Sequence, residues 1–515
     1  MFTKYLRTVV FVFSIVFAAC TSQVAEMVTT TAGYQWHTVD VKAVSDTARQ
    51  ETLVIDSNAK GQTIMGFGTA FSELSYDALS ILSQEDRNAI YGELFSPGVG
   101  ASFTVCRTPL GASDFARGYY SYNDIDGDFS MEHFSIERDR EGLLPIIKSA
   151  LAKNPDLKIW ASPWCPPVWL KNNKHYASAA MNPMMLAFLA GVDYNGIFNQ
   201  DVHDRRMLQE LLKDTDLTQY LKPGVIADNG ITPEQIRREG TDSFTMEDKY
   251  LNAYALYFKK YIEAYREEGV DIFMVMPQNE PNSAQWYTSC TWTPEGLARF
   301  ERVLGPAMEE LGVELYHGTM ERADWHQAER CIEDEIAGKY IKGVAFQWGG
   351  KEALPEIHRR YPDLTMVMSE HQCFNGQNSW KDCMDSWDLL KFYMDNGVAL
   401  YDYWNLALKK DGVSTWGWRQ NSLLLVDEKN KSYKWNYEYF LMKHISHYVL
   451  PGAVYLGTSG SQSEALAFKN PDGRIIILVA EKEGVERKLS ITFDKKTLSV
   501  PLAPNSISTI VIKES

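Results

Sequence analysis

Two glutamates in this 515-residue chain each follow a short apolar segment, where acid–base chemistry would need them. Glu280 lies in MVMPQNEPN at 274–282, and Pro281 should end that strand because proline cannot donate a ladder hydrogen bond. Glu370 ends TMVMSE at 365–370. Cleavage of a glycosidic bond with retention needs an acid and a carboxylate nucleophile about 5–5.5 Å apart. The pair therefore predicts glycoside hydrolysis, with Glu280 as acid/base and Glu370 as nucleophile.

Three further polar residues belong to the predicted site. Asn279 precedes Glu280 and suits a hydrogen bond to the 2-hydroxyl of a sugar. Arg107 ends another apolar segment, and Asp114 follows it in ASDF. A buried Arg107 beside the nucleophile would keep that carboxylate ionised. A structural ion pair between Arg107 and Asp114 is the alternative.

Aromatic and acidic residues also end several of the apolar segments. Trp164, Trp348 and Trp404 each close one, and we predict that their rings form a stacking platform for sugar at one rim of the fold. The alternative is that these tryptophans belong to the core. Glu321 and Asp402 are predicted at the same rim, where they would bind sugar hydroxyls or be solvated.

Strand-like and helical segments alternate through the middle of the chain. The eight apolar segments are 64–72, 102–110, 157–164, 271–280, 314–321, 343–348, 365–370 and 399–406. Amphipathic helices are predicted at 136–153, 249–268, 294–311, 353–361 and 387–396. This alternation is typical of an α/β fold of the (β/α)8 barrel type, which we place at 61–448. In such a barrel the carboxyl ends of the strands face the active site.

One connection of the predicted barrel is abnormally long. Residues 171–246, after the third strand, contain no clear strand and two helical pieces, near 184–191 and 204–214. Loops of this length in a compact domain are usually functional. We expect this insertion to form a wall of the active-site cleft, the alternative being a surface decoration away from the site.

Both chain ends have β-sheet patterns. Short alternating strands with turns fill 449–515, and residues 34–60 show two or three more, so we predict one β-sandwich built from both termini. The polar, Thr-rich residues 21–33 are interpreted as a tether. Residues 1–20 read as a bacterial lipoprotein signal with lipidation at Cys20, or else as a simple secretion signal. Either predicts an exported protein, at the periplasmic or outer side of an outer membrane if lipidated.

Composition and residue spacing restrict the partners. A net charge of −16 disfavours nucleic acid and anionic membrane surfaces, so membrane contact is expected only through the lipid anchor. Six further cysteines lack CxxC spacing, which argues against zinc, and are expected to be buried thiols or disulfides. His444 and His447, three apart on a predicted helix, are interpreted as structural. The predicted chemistry implies no cofactor and no metal.

Seven segments of this chain match a known family in order. They are GFGTAFSELS at 66–75, CRTPLGASDF at 106–115, ASPWCPPVWLK at 161–171, QNEP at 278–281, TWTPE at 291–295, MSE at 368–370 and YWNLAL at 403–408. With them the sequence resembles glycoside hydrolase family 30, which includes lysosomal glucocerebrosidase. The resemblance implies a (β/α)8 barrel with a β-sandwich from both termini, a retaining mechanism, and the same two roles for Glu280 and Glu370. The residues that match the family's sugar pocket are Arg107, Asp114, Trp164, Asn279 and Trp404.

The chain departs from the glucocerebrosidase-like pattern around the predicted rim. Gln347-Trp348-Gly349 replaces His-Trp-Tyr, and both HQCFNGQNSW after Glu370 and the insertion at 171–246 differ. These changes argue against a ceramide aglycone. Bacterial members of similar type include endo-β-1,6-glucanases, so the resemblance implies a β-linked glucan as the expected substrate, cleaved internally at β-1,6 bonds. An exo-acting β-glucosidase, a glucosylceramidase, a β-xylosidase and a non-catalytic glycan-binding lipoprotein are the alternatives.

Overall fold

Eight parallel strands form a closed barrel at the centre of the fold. The structure is a computed structural model that describes residues 23–41, 48–181, 183–189 and 218–513. Its strands are β1 (Gln23–Thr31), β2 (His37–Thr38), β3 (Arg49–Thr63), β4 (Gly66–Ala70), β5 (Val105–Pro109), β6 (Lys158–Ser162), β7 (Ile272–Val275), β8 (Glu314–Met320), β9 (Ile341–Gln347), β10 (Thr365–Glu370), β11 (Val398–Asn405), β12 (Ala407–Lys409), β13 (Leu424–Asp427), β14 (Ser432–Trp435), β15 (Val454–Ser459), β16 (Ala465–Lys469), β17 (Ile475–Glu481), β18 (Arg487–Phe493), β19 (Lys496–Leu502) and β20 (Ser506–Lys513).

The barrel consists of β4 to β11 in chain order, with β11 pairing back to β4. Each strand lies largely within one of the eight predicted apolar segments, so the predicted barrel is confirmed. Each of the eight strands has at most one residue that is not buried, because helices cover the outside and side chains fill the inside. A small sheet of β12, β13 and β14 follows the barrel and was not predicted.

One barrel strand ends earlier than predicted. β7 stops at Val275, so Glu280 lies on the loop after the strand, with φ at 51° in the left-handed region. The loop still bonds to both neighbours of β7, since the Asn279 N–H donates at 2.6 Å to the carbonyl of Pro163, just after β6, and the Glu280 N–H donates at 3.0 Å to the carbonyl of Thr319 in β8. These bonds replace a regular ladder and hold Glu280 without a strand beneath it.

Eleven helices are described alongside the strands. They are α1 (Glu73–Ser80), α2 (Gln84–Phe95), α3 (Glu137–Arg140), α4 (Leu143–Leu151), α5 (Pro183–Leu189), α6 (Asp248–Glu267), α7 (Pro294–Leu311), α8 (Trp325–Ile332), α9 (Leu354–Arg360), α10 (Trp380–Asp395) and α11 (Tyr437–Ser446). The helix predicted at 136–153 is two helices, separated at Gly142. Helix α10 begins earlier than predicted, because Ser379 and Asp382 form a capping box there.

The segment interpreted as a tether is a strand instead. β1 pairs antiparallel with β20 over most of its length and is central enough in the sheet that Met27 and Val28 are 1% exposed. Threonine favours strands because it is β-branched, so the Thr-rich composition indicated β-structure rather than a tether. The Thr29 hydroxyl also bonds to the Ser508 hydroxyl at 2.8 Å.

The terminal sheet contains nine strands in the order β19-β18-β3-β15-β16-β17-β20-β1-β2. Strands from both chain ends therefore share one sheet. His444 on α11 connects it to the barrel domain, because its two ring nitrogens lie 2.9 Å from the hydroxyls of Thr30 and Thr509. This contact agrees with the structural role predicted for His444.

The long insertion begins and ends at one point. Lys171 and Phe244 form a β-bridge, so the segment leaves the barrel and returns beside its start. The first predicted helix of the insertion corresponds to α5, and the second, at 204–214, lies outside the described residues.

Cysteine pairing and membrane contact can be stated for the described ranges alone. All six cysteines there are buried free thiols, so the disulfide alternative is not realised. Within the same ranges no helix has the length and apolar character to cross a bilayer. The predicted signal segment and Cys20 fall outside the described residues.

Candidate active site

A cavity of about 950 Å³ lies at the carboxyl ends of the barrel strands. Asp114, Glu280, Gln347, Trp348 and Glu370 are among the residues that line it. Glu280 and Glu370 come from the ends of the fourth and seventh barrel strands and are 7% and 8% exposed. The structure thus brings the two predicted carboxyls into one shared cavity.

Arg107, at the centre of β5, forms the base of the site. Its guanidinium is fully buried and donates to Glu370 Oε2 at 2.7 Å, to Asn279 Oδ1 at 2.6 Å and to Ser162 Oγ at 2.8 Å. Arg107 therefore forms its ion pair with Glu370, as predicted, and not the alternative ion pair with Asp114. A buried guanidinium next to a carboxylate favours the ionised form of that carboxylate.

Burial affects both carboxyls, and Arg107 distinguishes them. Burial raises the pKa of Glu280, so its neutral, proton-donating form persists to higher pH. Burial also raises the pKa of Glu370; the bound Arg107 guanidinium opposes the rise, and the Glu280 carboxyl adds to it. The two groups therefore titrate as a pair, in which the ion pair assigns the negative charge to Glu370.

Two side chains on the loop after β7 hold Glu280. The Tyr287 hydroxyl donates to Glu280 Oε2 at 3.1 Å, and the Gln285 amide nitrogen lies 3.5 Å from the same oxygen. Neither residue was singled out from the sequence, because the composition of a loop does not show which of its side chains will contact Glu280.

Asn279 is fixed through its carbonyl oxygen. Oδ1 accepts from Arg107 at 2.6 Å, from the Gln347 amide at 2.8 Å and from the Thr319 hydroxyl at 3.0 Å. With Oδ1 taken by three donors, the Nδ2 amide is the part of Asn279 left to bind a ligand. This orientation suits the predicted contact with a sugar hydroxyl.

Gln347 joins these groups and was also missed as a site residue. It is the last residue of β9, and its Nε2 lies 2.8 Å from Asn279 Oδ1, 3.1 Å from Glu370 Oε2 and 3.2 Å from Thr319 Oγ1. Its place at a strand end, just before Trp348, is the signal that could have identified it.

Asp114 lines the cavity with a free acceptor. Within the described part of the chain its Oδ1 is buried and has no hydrogen-bond partner. Burial raises the pKa of this carboxyl well above its usual range, and the nearby Glu370 and Glu280 carboxyls add to the rise. A hydroxyl donor from a ligand would satisfy the orphaned oxygen.

The three predicted tryptophans do not form one exposed platform. Trp164 and Trp404 are only 1% and 2% exposed and pack together with ring centroids 5.4 Å apart. The Arg107 guanidinium lies 4.3 Å from the Trp164 ring centroid, so these rings enclose that cation. Trp348, 37% exposed, lines the cavity. Contact of Trp164 and Trp404 with a sugar stays a prediction.

Of the two further acids predicted at the rim, only one is there. Glu321 lines the cavity and pairs with Arg322. Asp402 is fully buried inside the barrel, where it accepts from Trp160 Nε1 at 2.6 Å, so its predicted rim position is wrong. Consecutive residues of β11 point to opposite faces, and Asp402 points inward.

The insertion contributes to the cavity wall, as predicted. Met185 and Leu189 on α5, and Lys222 further on, line the cavity. Glu239 near the end of the insertion accepts from Arg322 at 2.9 Å. The insertion is thereby connected to the loop that follows β8.

One group of possible metal ligands exists in the described ranges, away from the residues that line the cavity. Glu301 on α7, His317 on β8 and Cys331 on α8 are buried, and one possible ligand atom of each lies within 4.8 Å of the others. His317 Nδ1 is already 2.9 Å from Glu301 Oε1, as a hydrogen-bonded pair. Sequence spacing could not show this group, because its members come from three elements.

The chain matches the family model for the "Glycosyl hydrolase family 30 TIM-barrel domain" at residues 64–183 and 216–449. Residues 452–510 match the model for the "Glycosyl hydrolase family 30 beta sandwich domain". These ranges coincide with the barrel and with the C-terminal part of the nine-stranded sheet.

Curated relatives and solved structures are similar over most of the chain. A putative glucosylceramidase of Caenorhabditis elegans is 27% identical, over 89% of this chain and 82% of its own length. An endo-1,6-β-D-glucanase of Aspergillus fumigatus is 25% identical, over 85% of this chain and 83% of its own length. The solved structure of an endo-β-1,6-glucanase has a TM-score of 0.74 at 23% identity, over 95% of this chain and 99% of that one, which shows the shared fold. From the family models and these similarities, the chain belongs to glycosyl hydrolase family 30.

Proposed function

We propose that this protein is a retaining β-glycoside hydrolase that acts by double displacement. Glu370 attacks the anomeric carbon of the sugar while Glu280 gives its proton to the leaving oxygen. Glu280, now ionised, then takes a proton from water, whose oxygen attacks the same carbon and releases Glu370. The observation that carries the proposal is the 2.7 Å ion pair of Glu370 with buried Arg107, in one cavity with a second, differently held carboxyl.

The proposed substrate is a β-1,6-linked glucan, cleaved internally. The fungal relative with 25% identity is named as an enzyme of this type. The cavity wall also supports a carbohydrate over a lipid aglycone, because it carries many charged side chains. These are Lys222, Glu321, Arg322, Lys381, Asp382, Asp385, Lys409, Asp411 and Arg419. Charged groups lose hydration against an acyl chain, whereas sugar hydroxyls can bond to them.

A hydrolysis panel tests this proposal. Purified protein is offered β-1,6-, β-1,3- and β-1,4-glucan, xylan and glucosylceramide, with Glu280→Gln and Glu370→Gln as controls. We expect early release of oligosaccharides from β-1,6-glucan, and loss of this activity in both variants. Activity confined to short glucosides, xylan or glucosylceramide would keep the mechanism and replace the substrate. No turnover of any substrate would favour a glycan-binding lipoprotein.

An exo-acting enzyme is the second candidate, because the Caenorhabditis elegans relative is named as a putative glucosylceramidase. Product size distinguishes the two modes of action. An endo enzyme lowers the viscosity of the glucan before much monosaccharide appears. An exo enzyme releases glucose from the start and leaves the viscosity nearly unchanged.

We also propose that the protein is exported and lipidated at Cys20. The support is the sequence alone, an apolar segment followed by Ala18-Ala19-Cys20. Metabolic labelling with a fatty acid tests it. Label in the wild type that is lost in Cys20→Ala is expected, and an unlabelled wild type would indicate a simple secretion signal.

A further inference from the structure

Gln347 occupies the point where the groups of the proposed site meet. It is fully buried, and the Tyr393 hydroxyl donates to its backbone carbonyl at 2.7 Å, which fixes the chain at that position. Its side-chain nitrogen faces three acceptors within 3.2 Å, one each on Asn279, Thr319 and Glu370. Gln347 is therefore a neutral side chain that touches both the Asn279 amide and the Glu370 carboxylate.

These contacts determine which way the Gln347 amide points. In the flipped orientation Gln347 Oε1 would face Asn279 Oδ1 and Glu370 Oε2, which are both acceptors. Two acceptors in contact lose hydrogen bonds and repel each other. The nitrogen must therefore face the site.

The same reasoning extends to Asn279. Its Oδ1 is held by donors from Arg107, Gln347 and Thr319, at 2.6, 2.8 and 3.0 Å. The Thr319 hydroxyl donates its one hydrogen to Asn279 and accepts from the Gln347 nitrogen, at 3.2 Å. Gln347 thus supports Asn279 directly and also through Thr319. Its removal would leave Arg107 as the main constraint on the Asn279 amide.

We propose that Gln347 is a positioning residue, which holds the Asn279 amide nitrogen toward the substrate's 2-hydroxyl and donates to Glu370 Oε2. This inference rests on the proposed glycoside hydrolysis. An amide suits the task because it has no charge to change between pH 4 and 9. A titratable group in its place would make the orientation of Asn279 depend on pH.

The first test removes the amide and asks whether the loss depends on the 2-hydroxyl. Gln347→Met keeps similar volume without a donor. Its kcat/KM is measured on an aryl β-glucoside and on the 2-deoxy analogue. We expect a loss of about 100-fold on the glucoside, a typical effect of misplacing a binding group, and about 10-fold or less on the 2-deoxy substrate. Equal losses on both substrates would overturn the positioning of Asn279.

The second test uses charge. Gln347→Glu keeps the shape, but its ionised form places a negative charge against Glu370 and Asn279 Oδ1. Its kcat/KM relative to wild type should fall as pH rises from 5 to 8, whereas the ratio for Gln347→Met should stay constant. A pH-independent ratio for Gln347→Glu would contradict the contact with Glu370.

Controls distinguish three outcomes: a variant that fails to fold, a failure of the Gln347 proposal, and a failure of the proposed function. Gln327→Met changes a buried glutamine on α8, outside the cavity lining, and should leave both substrates unaffected. Thermal unfolding identifies a variant that fails to fold, and the two substrates are then compared in Gln347→Asn, which keeps a shortened amide. If wild type hydrolyses the glucoside and Gln347→Met loses nothing, this inference alone fails. If wild type hydrolyses no glycoside, both proposals are overturned.

Discussion

At the scale of single residues, the site depends on one buried cation. Arg107 is enclosed by tryptophan rings and donates to a carboxylate, an amide oxygen and a hydroxyl. A buried guanidinium is stable only when its donors are satisfied. This arrangement makes Glu370 the natural anion of the site. In the proposed mechanism Glu280, held by Tyr287 at 3.1 Å, is the group that carries the proton.

The coupling between the two carboxyls predicts a pH shift. The Glu280 carboxyl raises the pKa of Glu370, so Glu280→Gln should lower it. Glu370 attacks only when ionised, and the acidic limb of kcat/KM should therefore move to lower pH in the variant. An aryl glucoside with a very good leaving group keeps the reaction measurable without the acid. An acidic limb that stays in place or moves up would contradict the coupling.

At the scale of elements, strand ends and helix starts decide where the site residues lie. The segments after β7 and β9 carry Glu280 and Trp348. A loop follows Glu370, and α10 begins after it at Trp380. The start of α10 is fixed by Ser379, whose hydroxyl accepts from the Asp382 N–H at 3.1 Å. The Asp382 carboxylate in turn accepts from the Ser379 N–H at 3.0 Å. This capping box orders the loop that borders the cavity.

Removal of this cap should destabilise the protein measurably. Ser379→Ala loses the side-chain acceptor at the first turn of α10, which typically costs about 1 kcal/mol. Ser80→Ala is the matched control, because its hydroxyl donates to a carbonyl inside α1, at 2.7 Å, and does not cap a helix. Urea unfolding should show a lower midpoint for Ser379→Ala than for Ser80→Ala. Equal midpoints would mean that the cap does not contribute.

The sequence predicted the elements with a strong hydrophobic period and missed those set by local bonds. The barrel strands are buried on both faces, so their apolar runs identified them. The loop after β7 is held by backbone bonds from Asn279 and Glu280 to Pro163 and to Thr319 of β8, which no periodicity shows. Glu280 and Glu370 were singled out because each acid follows an apolar segment, whereas the strand-end place of Gln347 shows a role only once Asn279 lies beside it.

At the scale of the whole molecule, the two chain ends meet in one sheet that packs on the barrel. β1 contributes to both layers, because Met27 joins the apolar cluster of the sheet and Val28 joins that of the barrel. His444 on α11 bonds to Thr30 of β1 and Thr509 of β20. The N-terminal strand is therefore part of the domain contact.

Removal of β1 should weaken the whole protein. A chain that begins at residue 34 lacks β1, and its matched control begins at residue 23. Burial of Met27 and Val28 is worth about 1.5–3 kcal/mol for each side chain, before the lost strand hydrogen bonds are counted. The shorter chain should unfold at clearly lower urea concentration. The same midpoint in both chains would support the tether interpretation of 21–33.

Acid should weaken the contact at His444. Burial lowers the pKa of His444 to about 3, against about 6.5 when unfolded. The neutral ring therefore contributes its full stability above pH 6.5, and this contribution is lost as pH falls from about 6.5 toward 3, at up to about 1.4 kcal/mol per pH unit. His444→Gln should be less stable at pH 7 and lose less stability by pH 4. If the free energy of unfolding fell equally with pH in the wild type and in His444→Gln, His444 would not be a source of the acid sensitivity.

The most direct test of the central claim, that Glu370 is the nucleophile of a retaining hydrolase, is to trap the glycosyl-enzyme. A 2-deoxy-2-fluoro-β-glucoside with a good leaving group slows the second step more than the first. We expect one fluoroglucosyl group per chain by mass spectrometry, on the peptide that contains Glu370, and no label in Glu370→Gln. Hydrolysis of glucosides by wild type with label on another residue, or with no covalent intermediate, would contradict the account.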